Sequence, residues 1–490
     1  MLSGSGENTG EESQAVIRIE APLGITTELE LFWTLRKGFD RELVIGLPQS
    51  LPRHLQVYLT TREIEDILAQ PLINQEAQAK LLLKHGLYKL LSQICNYRLP
   101  WGILTGIRPG KIMHNLYDQG FSEEKRAAIL EKQYAIRPDK IELLQKIAAV
   151  QRPYLEELGR NPQRVAIYIS IPFCPSRCTY CSFPAFSLSK ERQELVSYLQ
   201  ILEAEIQEAG LLAEKFALVP ENIYLGGGTP TILTPQEMGR LLREIKKRFP
   251  WQECCEFTVE AGRVDTLSLD MLKVLRQYGV TRLSINPQTM QDNTLVRVGR
   301  AHSVAEVKHV YQLARKLSDW IINMDLILGL PGEGLRDIQD TLYQVADLQP
   351  DNLTMHILAL KRGSREFEMG FKHKAASEME KMQEFFVRTA DSWGLQPYYL
   401  YRQKRIAGNL ENIGYAKPGL ACLYNISVIE ERQSILGLGA GASTKIIDPG
   451  QQKLFNFHHP VSWRHYLQKW RENHRRWLKV LEGSRYDSDK

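Results

Sequence analysis

The sequence predicts an α/β protein. Its core, residues 161–395, is expected to be a partial, barrel-like sheet of six β–α units. An N-terminal α+β domain is expected over 1–160 and a mixed, largely helical C-terminal domain over 396–490. Short buried-type strands alternate with segments of helical period between residues 165 and 357. Strands and helices in strict series call for a parallel sheet with right-handed crossovers. Polar residues gather at or just beyond the C-terminal ends of these strands, where the active sites of barrels lie.

Residues 1–13 are rich in Gly, Ser and Glu and read as a flexible lead. A-V-I-R-I-E-A and R-E-L-V-I-G-L read as short strands, and helix is expected near 76–95 and through 122–158. L-P-W-G-I-L-T-G-I-R-P-G-K is broken by Gly and Pro and reads as a loop. V-A-I-Y-I-S-I (165–171) is the first core strand. Leu195, Tyr198, Leu199, Leu202, Ile206 and Ala209 share one face of the helix after it. N-I-Y-L (222–225) comes next. In T-P-Q-E (234–237), Thr234 can cap a helix, Pro235 suits its first position and Glu237 completes a capping box. E-F-T-V-E (256–260) is the third strand, and Gly279 ends the following helix. R-L-S-I (282–285), I-I-N-M-D-L-I-L (321–328) and N-L-T-M-H-I (352–357) complete the six. Beyond residue 395 the pattern is mixed, with G-L-G-A-G-A (437–442) and a basic, aromatic final helix.

A chain of 490 residues can bury a core without disulfide staples. Its 43% hydrophobic and 24% charged residues exclude bulk disorder, a fibrous repeat and a membrane bundle. A net charge of +5 is too small to argue for nucleic acid but leaves room for an anionic small molecule. No apolar run approaches the ~18 residues of a membrane-spanning helix. The polar, acidic start lacks the apolar stretch of a signal peptide, so a cytoplasmic location is expected. Seven cysteines do not make a secreted disulfide framework. Three of them fall close together, which in a reducing compartment suggests a metal site.

Cys174-Pro-Ser-Arg-Cys178-Thr-Tyr-Cys181 follows the first core strand directly. Three thiolates on one tight loop can hold three corners of a metal cluster. A structural zinc ion calls for a fourth Cys or His nearby, and Phe183 and Pro184 stand there instead. Three ligands for four irons leave one iron open, which suits a [4Fe–4S] cluster with a non-protein ligand. The alternatives are zinc completed by a distant residue, or three unrelated cysteines. Gly226, Gly227 and Gly228 end the second strand and either admit a ligand close to the backbone or form a tight turn. Glu260, Gln288, Arg300 and Asp325 are site candidates whose plain alternative is a cap or a salt bridge. Cys95, Cys254, Cys255 and Cys422 read as packed thiols. His458 and His459 could ligate metal or haem, although loop histidines usually do neither.

With Tyr180 before its last cysteine, C-x3-C-x2-C is the signature of radical S-adenosylmethionine (SAM) enzymes. Y-I-S-I-P-F-C-P-S-R-C-T-Y-C-S-F resembles the oxygen-independent coproporphyrinogen III oxidase family. The likeness continues through Y-L-G-G-G-T-P-T, R-L-S-I, M-D-L-I-L-G-L-P-G and G-L-G-A-G-A. W-G-I-L-T-G-I-R-P-G-K, G-N-L-E-N-I-G-Y-A-K-P-G and L-Y-N-I resemble its HemZ-like branch.

The resemblance implies a radical SAM partial (β/α)6 barrel with a [4Fe–4S] cluster on Cys174, Cys178 and Cys181. It places Gly227, Gly228, Thr229 and Glu260 at the amino and carboxylate end of SAM. Arg300 goes to the methionine carboxylate, where its planar fork fits. Gln288 and Asp325 go to the ribose, Tyr180 and Ala440 to the adenine, and Tyr168, in a catalytic role, beside the cluster. The implied activity is oxidative decarboxylation of coproporphyrinogen III to protoporphyrinogen IX in anaerobic haem biosynthesis. The expected partners are an anionic tetrapyrrole and an electron donor of flavodoxin or ferredoxin type. No nucleic acid partner is expected, and the chain is expected to be monomeric. Some charge of the final helix could attract the porphyrin, although such charges are more often a solvated face.

Three features depart from that family. Phe183 replaces the fourth cysteine of C-x3-C-x2-C-x-C, S-I-N-P-Q stands where relatives read S-I-G-V-Q, and the N-terminal 160 residues are unlike the short segment of well-known members. Two other readings stay open. One is a haem-binding chaperone of the HemW-like branch, whose H-N-x-x-Y-W is Y-N-I-S-V-I (424–429) here. The other is a radical SAM enzyme acting on another tetrapyrrole.

Overall fold

The computed structural model describes residues 12–20, 26–34, 54–58, 63, 66–67, 75–183, 186–188, 192–249, 254–361, 363–448 and 453–483. The expected strand R-E-L-V-I-G-L lies outside them. The chain forms two compact units, Met1–Gln145 and Lys146–Lys490. The three-way division at 160 and 395 remains a proposal about how the segments differ in sequence.

In the first unit, strand β1 (Glu12–Glu20) lies between β2 (Thr26–Thr34), which is antiparallel to it, and β3 (His54–Tyr58), which is parallel. β1 contains most of A-V-I-R-I-E-A and starts inside the stretch expected to be a flexible lead. Helices α1 (Gln75–Cys95), α2 (Pro109–Asp118) and α3 (Glu123–Tyr134) follow. The phrase expected to be a loop therefore ends in a helix. Pro109 starts α2, where a missing N–H costs nothing. The helix expected through 122–158 is two helices, because Ala135 turns left-handed (φ 55°) and stops α3 before α4 (Pro138–Arg160). Trp101, Met113 and Leu130 are fully buried here.

The second unit is built on one eleven-stranded sheet. The six expected core strands are β4 (Arg164–Ile171), β5 (Val219–Gly227), β6 (Glu256–Glu260), β7 (Arg282–Ser284), β8 (Ile321–Leu328) and β9 (Asn352–Ile357). They lie side by side in chain order, each parallel to the next. Their residues are buried almost throughout, as in a parallel sheet covered on both faces. Helices α5 (Arg192–Lys215) and α6 (Pro235–Arg248) form as expected. The whole predicted face of α5 is buried, and both bonds of the Thr234–Glu237 capping box are present. α7 (Leu269–Gln277), α8 (Val304–Leu317) and α9 (Leu335–Ala346) fill the later crossovers.

β7 is short because Pro287 has no N–H to continue the ladder. Pairing resumes at Gln288, held at φ 69° by its N–H bond to the Asp325 carbonyl.

Five further strands extend this sheet, all unforeseen in the sequence. After α10 (Ala376–Ser392), β10 (Gln396–Tyr401) and β11 (Asn412–Ala416) continue antiparallel beyond β9. After α11 (Leu423–Glu430), β12 (Ile435–Leu438) runs parallel to β4, and β13 (Ser443–Asp448) and β14 (Lys453–His458) complete that edge. The pairing of β12 with β4 brings residues 437–442 to the C-terminal end of the core strands. The final helix α12 (Trp463–Gly483) packs on α5 with Tyr466 and Trp470 buried. No described helix is long and apolar enough to cross a membrane.

Candidate functional site

The strands β4–β9 open at their C-terminal ends onto a cavity of about 320 Å³. It is lined by every expected site residue except Tyr168 and Ala440. The loop after β4 carries the three cysteines. The Thr229 hydroxyl donates to Cys174 Sγ at 3.3 Å, and Arg263 Nη1 approaches Cys178 Sγ at 3.6 Å. Burial pushes the Cys174 thiol up to about 11 and raises Cys181 as well. Sulfurs in such surroundings become a joint thiolate set only around a cation.

Three thiol sulfurs share this loop, and Phe183 stands where the family pattern puts a fourth cysteine; a soft three-thiolate set fits a four-iron cluster that keeps one iron open.

The glycine triplet is required by the cysteine loop. Gly227 has φ 112°, a backbone that side chains resist. A Cβ on Gly228 would stand 2.6 Å from the Phe173 carbonyl oxygen and 3.0 Å from Cys174 Sγ. Gly228→Ala is therefore expected to displace Cys174 and lower bound iron several-fold, measured as iron per chain.

Two carboxyls face the cavity in different states. Glu260, ending β6, accepts the Tyr224 hydroxyl at 2.6 Å. Burial raises its carboxyl to about 7, with Asp325 adding to the shift and Tyr224 opposing it. Asp325 in β8 accepts from Asn286 Nδ2 at 2.7 Å and Asn323 Nδ2 at 2.8 Å, with His356 Nε2 3.6 Å away. Burial opposes its charge, but His356 and the amide donors hold it below its ordinary value.

Arg300 is built into the wall. Its Nε donates to the Tyr180 hydroxyl at 3.1 Å, and its Nη1 to the Gly262 and Asn286 carbonyls at 3.1 and 2.6 Å. Among the described residues Nη2 has no hydrogen-bond partner. Tyr180 packs against the cluster of Val298, Ile327, Leu330, Leu358 and Leu360.

Tyr168 does not line the cavity. It stacks on Tyr224 and Tyr424, at centroid distances of 6.1 and 5.6 Å, within an apolar cluster. Its route to the cavity runs through Tyr224 and Glu260. Ala440 is buried behind the wall. Its N–H donates to the Tyr198 hydroxyl at 3.1 Å, and its carbonyl accepts from Ser170 at 2.8 Å. Arg263, Asn286, Lys361, His356 and Tyr401 line the cavity and were not singled out in the sequence. Each lies at or just beyond a core or edge strand, so the strand-end rule could have found them. Asn286 stands inside the departure S-I-N-P-Q.

Of the other cysteines, Cys254 and Cys422 are engaged as expected, whereas Cys255 is exposed rather than packed. Cys422 donates to Glu256 Oε1 at 3.2 Å and Cys254 to the Glu256 carbonyl at 3.1 Å. The side chain of Cys95 lies outside the described residues. On α12, Arg464 and Arg471 pair with Glu194 and Glu208 of α5, at 2.8 and 3.0 Å.

Comparison with known proteins places this geometry. The radical SAM superfamily profile matches residues 168–344. The chain is 40% identical over 408 residues to an oxygen-independent coproporphyrinogen-III oxidase-like protein, HemZ, of Bacillus subtilis, covering 83% of this chain and 81% of that protein. It is 30% identical over 280 residues to the heme chaperone HemW of the same organism, covering 56% and 69%. Among solved structures, coproporphyrinogen III oxidase (HemN) from Escherichia coli, described as a radical SAM enzyme, superposes with a TM-score of 0.52 at 21% identity. It covers 66% of this chain and 72% of that one, a likeness of fold.

Proposed function

Because the chain belongs to the radical SAM superfamily, and within it to the HemZ-like branch of the oxygen-independent coproporphyrinogen III oxidase family, we propose that it oxidatively decarboxylates coproporphyrinogen III to protoporphyrinogen IX. The family's cofactors are a [4Fe–4S] cluster and SAM. The observation that carries the reading is the three-cysteine loop sharing one cavity with the acidic, amide and arginine side chains that a bound SAM needs.

When bound, the cluster supplies the electron that splits SAM into methionine and a 5′-deoxyadenosyl radical. The chain's own part is to hold and orient. Cys174, Cys178 and Cys181 ligate three irons. The backbone at Gly227–Thr229, with Glu260, receives the amino and carboxylate end of SAM. Arg300 grips the carboxylate through the free side of its fork. Asp325, kept ionised by His356, Asn286 and Asn323, accepts from the ribose hydroxyls beside Gln288. Tyr180 faces the adenine, and Ala440, buried behind the wall, supports β4 through its bond with Ser170. Tyr168 acts as a positioning residue, supporting Glu260 through Tyr224.

Each of the two propionates that react would give one hydrogen atom to the deoxyadenosyl group, one electron to an acceptor and one CO2, leaving a vinyl group. Two rounds complete the reaction. Arg177, Arg263 and Lys361 on the cavity wall suit an anionic tetrapyrrole. A flavodoxin- or ferredoxin-type protein is the proposed electron donor.

A second reading, haem handling, draws on the likeness to HemW and on Phe183. This ring stands in place of a fourth cysteine, lines the cavity and is 66% exposed, open to a flat macrocycle. Against it, Y-N-I-S-V-I lacks the residues of the chaperone signature.

Anaerobic incubation of cluster-loaded protein with dithionite, SAM and coproporphyrinogen III separates the two. Protoporphyrinogen IX and about two 5′-deoxyadenosines per substrate are expected, since each propionate needs its own radical. Deoxyadenosine formed equally without substrate, no vinyl product and stable haem binding would favour the chaperone.

A further inference from the structure

Glu205 lies in the middle of α5, on the same face as Leu202, Ile206 and Ala209, and is fully buried. A carboxylate in that position is costly unless it is paired. Its Oε2 accepts the Gly439 N–H at 2.7 Å and the Tyr466 hydroxyl at 2.5 Å. Its Oε1 faces two imidazoles. His459 Nε2, from the segment between β14 and α12, is 2.9 Å away, and His474 Nε2, from α12, is 3.1 Å away. Both rings are more than nine-tenths buried.

His459 is not placed as a hydrogen-bonding histidine. Its Nε2 lies 2.9 Å from Oε1. Neither of its ring nitrogens has a hydrogen-bond partner among the described residues. His474 Nδ1 is also buried without one, with Glu208 Oε2 3.9 Å away. Native interiors rarely leave such nitrogens unsatisfied.

A metal site accounts for the unpartnered Nε2 of His459. The three ligand atoms lie within 4.8 Å of one another, the one such His/Cys/Asp/Glu group among the described residues. Ligands held at about 2.0–2.2 Å around a tetrahedral ion sit roughly 3.3 Å apart, and a ligating lone pair points at the ion, beside the neighbouring ligand atom. The other carboxylate oxygen is fixed by two donors, as ligating carboxylates usually are.

We propose that Glu205, His459 and His474 bind one divalent transition-metal ion, zinc by the character of the ligands, at a site separate from the cysteine loop. Two imidazoles and one carboxylate suit zinc and disfavour magnesium or calcium. The ion ties α12 to α5 and, through the Glu205–Gly439 bond, braces the 437–442 loop.

The test uses full-length protein carrying its iron–sulfur cluster. It is incubated anaerobically with Zn2+, passed over a weak chelating resin and analysed for zinc and iron per chain. One zinc per chain is expected, with X-ray absorption showing two imidazoles, oxygen and no sulfur around it. The double variant His459→Ala, His474→Ala is expected to lose zinc by about tenfold or more with iron unchanged. If that variant does not fold, the wild-type stoichiometry and spectrum decide. Less than a tenth of a zinc per wild-type chain, zinc ligated by sulfur, or equal zinc in the folded double variant would overturn the proposal. The readout is zinc, so failure leaves the radical SAM reading untouched.

Discussion

Serine at any one of Cys174, Cys178 or Cys181 is expected to abolish the iron–sulfur absorbance and reduce bound iron to background. A neutral hydroxyl is a hard, weak donor for cluster iron, and three ligands leave no spare. The loop cannot recruit a replacement nearby, because the next position of the family pattern is Phe183. Cys254→Ser and Cys255→Ser are the controls. Cys254 is engaged with the Glu256 carbonyl and Cys255 is exposed, and neither lines the cavity, so both variants should keep full iron. Full cluster retention in Cys178→Ser would sink the assignment.

Alanine at Arg300 or Asp325 is expected to leave the cluster in place and weaken SAM binding about tenfold to a hundredfold. Charged hydrogen bonds of this kind contribute roughly 1.5–3 kcal/mol. Arg300 also ties Tyr180, Gly262 and Asn286 together, so Arg300→Ala loosens the wall as well as the ligand contact. Arg300→Lys keeps the charge but loses the fork, and should recover only part of the affinity. Asp325→Asn keeps the shape and removes the anion that faces His356. SAM affinity by equilibrium dialysis, with iron content alongside, checks both. Unchanged affinity in Arg300→Ala and Asp325→Ala would remove the proposed carboxylate and ribose roles.

The core of the fold was legible because each of its signals is local. Buried strands of apolar residues, a capping box at Thr234 and a cysteine loop placed at a strand end need no knowledge of the partner strand. The edge strands carry no such signal. β11 includes Gly414, where the Tyr399 ring of β10 occupies the space a Cβ would fill. β12 is four residues long, contains Gly437 and is followed directly by Gly439. The family resemblance put Tyr168 beside the cluster, while a lone strand tyrosine more often packs in a core; it lies in a stack of tyrosines. Glu205 was visible as one acid on an otherwise apolar stripe of α5, but its histidine partners are more than 250 residues away in sequence.

The central claim is that a radical formed at this cavity takes hydrogen from a tetrapyrrole propionate. Coproporphyrinogen III deuterated in its propionate side chains, turned over anaerobically with SAM and dithionite, tests it most directly. The account predicts deuterium in the 5′-deoxyadenosine, in step with the appearance of vinyl product. Deoxyadenosine free of deuterium, formed at the same rate whether or not the porphyrinogen is present, would contradict it.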